Sequence, residues 1–399
     1  MTTNSSGGRL EFLDVLRGVA LFGILTVNVF SFGAESAAWV TAPDRVAWHI
    51  KYFFFESKFW SLYSLLFGMG FYLQVSSEGY SMIKSIRRLT ALMLIGCLHA
   101  LLFEGDILML YAELGLLLLV AYRWPTAMLM SLGVVLLMSF PLGHFFAGDR
   151  GDDWPAKDHA EALEWLQSDR ADAVEAVGTL PEIAVYHAQF IPERFWEDWQ
   201  YPDSGLLVLA HFIFGFCFMR GGWQWLRACS GIQLRRMCLG FWSLGIVLMC
   251  VERYLTHRYG YSLFEGSVAS EGLVLLGDLT YLLATVSLSA AWFLSVWIWV
   301  DCGAFRRLRA SLATAGRLSL SLYLTQTLVF TSVFYGYGLG YAYQWGPLSV
   351  ICFAVFVFFL QLLLSAYWSR YFIYGPVEWL WRVFTYFEWE PIRRSPVNR

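Results

Sequence analysis

An all-α polytopic membrane helix bundle of about ten transmembrane helices is the fold class this sequence predicts, with N and C termini cytoplasmic and one periplasmic helical cap. Three observations predict it. Hydrophobic residues make up 58% of the 399 and charged residues only 15%, against about 25% charged in ordinary soluble domains. A water-soluble fold of this length has nowhere to hide so much apolar surface. Apolar runs of roughly 20 residues, enough for a helix to cross about 30 Å of hydrocarbon, recur along the chain. Finally, Lys and Arg gather in alternate connecting segments, as they do when those segments stay inside.

The runs lie near 10–33, 52–75, 87–104, 106–122, 126–147, 204–221, 236–256, 272–300, 313–335 and 347–369. They must be helices, because open strands leave backbone groups without partners in lipid. The first run begins with Glu11, Asp14 and Arg17. A secretory signal leads with basic residues only, so this run is read as a retained helix. Only Glu104-Gly105-Asp106 separates the third run from the fourth, which predicts a tight hairpin. Lys84, Arg87, Arg88, Arg123, Arg220, Arg227, Arg235, Arg236, Arg306, Arg307, Arg309, Arg393 and Arg394 all fall on one side if the N-terminus is inside. The chain therefore divides into five spans over 1–147, an acidic periplasmic segment over 148–203, and five more spans over 204–399. Within the acidic segment an amphipathic helix is expected around Ala160–Val177.

The seven cysteines are odd in number and scattered, with neither CxxC nor a Cys/His zinc spacing. Neither a disulfide framework nor a metal site is expected. No basic domain or tail points to nucleic acid. Membrane lipids are the expected surroundings, and the oligomeric state stays open, a homodimer being one option.

Charges inside a membrane cost about 2.5–3.5 kcal/mol each on insertion scales, so each needs a partner or a task. Asp14 and Arg17 share a face of the first helix, near its inner mouth. Asn28 lies about 16 Å further along, at ~1.5 Å per residue, in the outer half. His49, Lys58, His99 and Asp106 belong near the outer face. A histidine beside a carboxylate is the usual general-base pair, since the carboxylate fixes the tautomer. At the inner face Arg17, Arg88, Arg317 and Arg370 suit phosphate groups, which the guanidinium fork binds in pairs. Anchoring to anionic headgroups is the plainer alternative. Ser319, Tyr323 and Gln326 follow Arg317 at i, i+4 and i+7, a polar stripe facing the bundle interior. Either a substrate path or interhelical glue accounts for it.

Several stretches resemble the YeiB-like bacterial membrane proteins, long filed as a domain of unknown function. These are LDVLRGVALFGILTVNVFSFG (13–33), KFWSLYSLLFGMGF (58–71), RRLTALMLIGCLHALLFEGDILMLYAELGLLLL (87–119), GRLSLSLYLTQTLVFTSVFYGYGLG (316–340) and YGPVEWLWRVFTY (374–386). The basic residue that family carries just before its Gly-Pro is replaced here by Ile373-Tyr374, with Arg370 nearby. The resemblance implies a multi-pass protein of the bacterial inner membrane. The opening Leu13-Asp14-x-x-Arg17-Gly18 with Asn28 is also similar to transmembrane acyltransferases such as heparan-α-glucosaminide N-acetyltransferase. That likeness covers about the first hundred residues. It implies acyl-CoA as donor and a functional histidine, for which His49 is the match by spacing and His99 the match within the YeiB-like pattern.

Two functions fit these residues. In the first, inner arginines hold the phosphates of acyl-CoA, His99 (or His49) deprotonates an acceptor hydroxyl or amine, Asp106 orients it, and Asn28 donates to the oxyanion. Asp14, Lys58, Ser319, Tyr323 and Gln326 line the path. In the second, the same charges serve a transporter or lipid flippase for a small anionic or lipid substrate. An interaction scaffold would leave the buried polar residues without a role.

Overall fold

The computed structural model describes residues 5–32, 41–147, 170–200, 205–259 and 270–394. Among these residues the chain is helical throughout; its one β feature is an isolated bridge between Phe372 and Arg393. In chain order the helices are α1 (Ser5–Asn28, continued by a 3-10 turn Val29–Phe32), α2 (Ala42–Phe54), α3 (Lys58–Val75), α4 (Met82–Ala100), α5 (Leu108–Ala121) and α6 (Thr126–Ala147). Next come α7 (Arg170–Val177), α8 (Leu180–Gln200), α9 (Gly205–Cys217), α10 (Trp223–Ala228), α11 (Gly231–Tyr259) and α12 (Glu271–Cys302). The last four are α13 (Arg306–Arg317), α14 (Ser319–Phe334), α15 (Pro347–Tyr371) and α16 (Pro376–Tyr386).

Among the described residues each apolar run falls largely on helix, and the chain is a multi-pass membrane bundle. Two runs divide in ways hydropathy does not reveal. The run 52–75 starts a span only at Lys58, because Ser57 adopts a left-handed φ of 62° that breaks the helix after α2. The run 313–335 divides at Leu318 into the amphipathic α13 and the apolar α14. Among the described residues six helices are long and apolar enough to cross a membrane: Glu11–Phe32, Thr126–Gly143, Gly205–Ala228, Gly231–Tyr259, Glu271–Cys302 and Pro347–Tyr371. Leu108–Ala121 and Ser319–Phe334 are apolar but shorter. The helices α3 and α4 stand outside both groups, since Lys58 opens one and Lys84, Arg87 and Arg88 open the other.

The core is built around α1. Val15, Leu16 and Ala20 have no exposed surface, and Leu13, Leu21 and Leu25 only 1%. Around α1 stand α3, α12, α13, α14 and α15, while α11 packs against α12 at the periphery. Leu239, Val247 and Tyr254 on α11 and Leu363, Leu364 and Tyr367 on α15 point outward, the apolar exterior a lipid-facing helix presents.

Close approach of α1 and α13 is possible only because both carry glycine at the crossing. A Cβ on Gly316 would sit 1.9 Å from the carbonyl oxygen of Asp14, and one on Gly18 2.2 Å from that of Leu312. Both obstacles are backbone and cannot swing aside. Gly316→Ala is expected to destabilise the protein by about 1–3 kcal/mol, the range for overpacking a tight core. A lowered thermal midpoint in detergent checks this; an unchanged one would mean the crossing is looser than described.

Of the 148–203 segment, only α7 and α8 are described; most of the stretch expected as an amphipathic helix, Ala160–Val177, lies outside the described residues. Thr179 donates to Glu182 through its backbone NH (2.8 Å) and its hydroxyl (2.7 Å) at the head of α8. The exposed Glu182 carboxyl is thereby held below the ordinary carboxylate range. Ile183 is fully buried in the bundle's core, and the Gly336 NH donates to the Glu175 carbonyl at 2.9 Å. The segment thus caps the end of the bundle where α14 finishes.

Candidate functional site

The α1–α13 crossing brings together charges that lie far apart in sequence. Arg17 reaches Asp14 at 2.9 Å one turn away, and Arg317 approaches the other oxygen of the same carboxylate at 3.6 Å. Asp14 thus sits between two guanidiniums and holds both at one mouth of the bundle. Arg88 joins them from α4. Its Nη1 donates to Gln74 Oε1 at 3.0 Å, and its guanidinium lies 4.4 Å from the centre of the Trp381 ring. The Trp381 indole in turn donates to the Arg88 carbonyl at 2.7 Å, so α16 is pinned to α4.

A cavity of about 230 Å³ opens between these groups. Its polar lining includes Arg17, Arg88, Arg317, Gln74, Ser319 and Glu378, three guanidiniums against one carboxylate. Its apolar lining includes Leu66, Leu89, Leu92, Leu108 and Tyr111. Glu378 comes from α16, outside the spans, where Gly375 and Pro376 start the helix. It accepts from the Ser321 NH at 3.0 Å and from the Ser321 hydroxyl. Burial raises the Glu378 carboxyl above the ordinary carboxylate range, although the Ser321 hydrogen bonds pull the other way.

Deeper in the bundle lies a three-residue chain. His99 Nδ1 is 2.7 Å from Asp106 Oδ1, and His99 Nε2 is 2.8 Å from Thr327 Oγ1. The second oxygen of Asp106 accepts from the Met109 NH at 2.9 Å. All three side chains are buried. The tautomer follows from the partners. Asp106 accepts, so a neutral His99 ring carries its proton on Nδ1, and its Nε2 lone pair then faces the Thr327 hydroxyl, which donates to it. The predicted hairpin at Glu104-Gly105-Asp106 makes this geometry: α4 ends at Ala100 and α5 starts at Leu108, so the chain returns Asp106 to His99. Arg194, on α8 of the cap, donates to the carbonyls of Glu104 and Asp106, clasping that turn from outside.

Of the residues singled out from sequence, the cavity gathers Arg17, Arg88, Arg317 and Ser319, with Asp14 behind them. His99 and Asp106 meet, and the Tyr323 ring lies 5.0 Å from the His99 ring. Others stand apart. Gln326 donates to Gln361 Oε1 at 2.9 Å, and Gln361 donates to the Leu322 carbonyl; this joins α14 to α15. Arg370 is exposed at the end of α15 and does not line the cavity. His49 is exposed on α2 beside Trp48. Asn28 ends α1, and among the described residues it makes no hydrogen bond to His99 or Asp106.

Lys58 belongs to a separate buried group. It has no exposed surface, its ammonium donates to the Tyr52 carbonyl at 2.9 Å, and it lies 5.2 Å from the Tyr281 ring. Tyr52 donates to Glu252 at 2.9 Å, and Glu252 is 1% exposed; Asp278, also 1% exposed, is a further buried acid on α12. Sequence reasoning missed Thr327, Glu378, Glu252 and Asp278. A signal existed for the first: Thr327 is eight residues past Ser319, on the stripe already marked.

The family model described as "Protein of unknown function (DUF418)" matches residues 233–388, which take in α13, α14 and α16 with Arg317, Thr327 and Glu378. Over nearly its whole length the chain is similar to the "Uncharacterized protein YxaH" of Bacillus subtilis (strain 168), 28% identical across 97% of this chain and 96% of that one. It is also similar to the "Uncharacterized protein YeiB" of Escherichia coli (strain K12), 29% identical across 94% and 95% respectively. No solved structure matches it.

Proposed function

The chain is a YeiB-like multi-pass membrane protein, and on that premise we propose that it moves an acyl group from a cytoplasmic acyl-CoA to a hydroxyl or amine at the opposite face of the bacterial inner membrane. The observation that carries this reading is the lining of the cavity, where Arg17, Arg88 and Arg317 share one space with Leu66, Leu92 and Leu108, the last of them two residues past Asp106. Guanidiniums suit a nucleotide's phosphates. The apolar lining suits the thin pantetheine arm and its acyl group, and a histidine held in a fixed tautomer is the group such a transfer needs.

Thermal stabilisation of the detergent-purified protein by CoA, acetyl-CoA and longer acyl-CoAs tests this. At about a hundred times its dissociation constant a ligand stabilises by roughly 2.7 kcal/mol. The stabilisation is expected to vanish in Arg17→Ala and Arg317→Ala. No shift with any of these ligands would sink the reading.

A second reading is a transporter or lipid flippase, and the buried Lys58–Glu252 group favours it, because unneeded charge is costly in a membrane. Movement of an unmodified anion or lipid across proteoliposomes would separate the two.

A further inference from the structure

We infer that Thr327 is the nucleophile of this site and carries the acyl group as a covalent ester between donor and acceptor, an inference that rests on the acyl-transfer reading.

The first ground is how the hydroxyl is spent. A threonine inside a helix ordinarily turns its hydroxyl back to the carbonyl one turn earlier. Its neighbours on α14 do this: Thr325 bonds Ser321 O at 2.7 Å, Thr331 bonds Thr327 O at 2.8 Å, and Ser332 bonds Leu328 O at 2.6 Å. Thr327 instead gives its hydroxyl to His99 Nε2 at 2.8 Å, across 228 residues of sequence. Its proton therefore points at an imidazole lone pair, and that lone pair faces it because Asp106 holds the other ring nitrogen as a donor at 2.7 Å.

The second ground is the completeness of the chain. A nucleophile, a base within hydrogen-bond reach and a third group orienting the base are the three parts of an activated hydroxyl, recognised by geometry rather than by position in sequence. The orienting group is itself fixed, since the Met109 NH holds Asp106 Oδ2 at 2.9 Å. A histidine meant to act directly on a solvent-borne acceptor would keep Nε2 free; here Thr327 occupies it.

The third ground is the route. Ser319, Tyr323 and Thr327 follow one another at single-turn intervals on one face of α14. Ser319 lines the cavity and Thr327 touches His99, while Tyr323 stands between them with its ring 5.0 Å from that of His99. Neither Tyr323 nor Thr327 lines the cavity, so the proposal requires the Tyr323 ring to turn aside for a thioester to reach Thr327.

The step balances. Thr327 Oγ1 bonds to the acyl carbonyl carbon as His99 Nε2 takes its proton. The C–S bond then breaks, and CoA leaves as the thiol with that proton. The acceptor's hydroxyl or amine next attacks the ester and gives its proton to His99, which returns it to Thr327 as the C–O bond to Oγ1 breaks.

The test uses the full chain in detergent with acetyl-CoA and no acceptor, alongside T327V and T327S. Two readouts report the ester: mass spectrometry of acid-quenched protein, and exchange of labelled CoA into acetyl-CoA. The expected result is one acetyl group on the peptide holding Thr327, with exchange. T327V is expected to lose both by at least a hundredfold while still being stabilised by CoA, and T327S to keep both. Neither ester nor exchange in a wild-type protein that acetyl-CoA stabilises would overturn the assignment and leave acyl transfer standing. An acetyl group on any other residue would do the same, as would undiminished exchange in T327V. No stabilisation, ester or exchange would overturn both.

Discussion

In the acyl transfer proposed above, Asp106→Asn is expected to lower the rate on the order of 10⁴-fold, the loss seen when an orienting carboxylate of this kind becomes an amide. The reason is the tautomer. Asp106 accepts from His99 with one oxygen and from the Met109 NH with the other. An asparagine has only one acceptor atom, and the Met109 NH claims it, so the amide NH2 is turned toward His99 Nδ1. The ring then carries its proton on Nε2 and can no longer take one from Thr327. The rate of transfer and the thermal midpoint should be measured together. A variant that stays folded and keeps a tenth or more of the rate would show that Asp106 only packs against His99.

The second large effect is on stability. Lys58→Met is expected to cost about 1–3 kcal/mol, the range for leaving a buried polar group, here the Tyr52 carbonyl, without its partner. The carboxylates that act on Lys58 are Glu56 and Glu252, and Glu252 is almost wholly buried. Adding Glu252→Gln should recover part of the loss, because the glutamine oxygen can still accept from Tyr52, which bonds Glu252 at 2.9 Å. A double-mutant cycle of thermal midpoints measures the coupling. Simple additivity of the two single losses would show that the lysine and the glutamate do not sense each other.

Local arithmetic made part of this site legible. Asp14 and Arg17 are three apart, so their 2.9 Å contact follows from helix geometry alone. The brevity of Glu104-Gly105-Asp106 implied a hairpin, and a hairpin returns Asp106 to His99. The meeting of Arg317 with Asp14 was not legible, because it depends on the glycine crossing of α1 with α13. Hydropathy concealed the break at Ser57, which is a matter of backbone conformation and not of composition. Thr327 escaped notice because a threonine in an apolar helix usually satisfies itself, and only its partner in space shows otherwise. Glu252 was not legible either, because it is one acid in a long apolar run and its partners, Tyr52 and Lys58, lie about 200 residues earlier.

That separation also bears on how the protein is made. Lys58 opens α3, and the first half of the chain meets its ammonium with the Tyr52 carbonyl and ring and with Glu56 nearby. The Tyr281 ring and the Glu252 carboxylate that complete its surroundings are synthesised far later, on α12 and α11. Until then Lys58 lacks two of the groups that surround it in the finished bundle. A ribosome stalled before residue 252 is therefore expected to leave an intermediate whose Lys58 reacts with amine-specific reagents more readily than in the finished bundle, where it has no exposed surface.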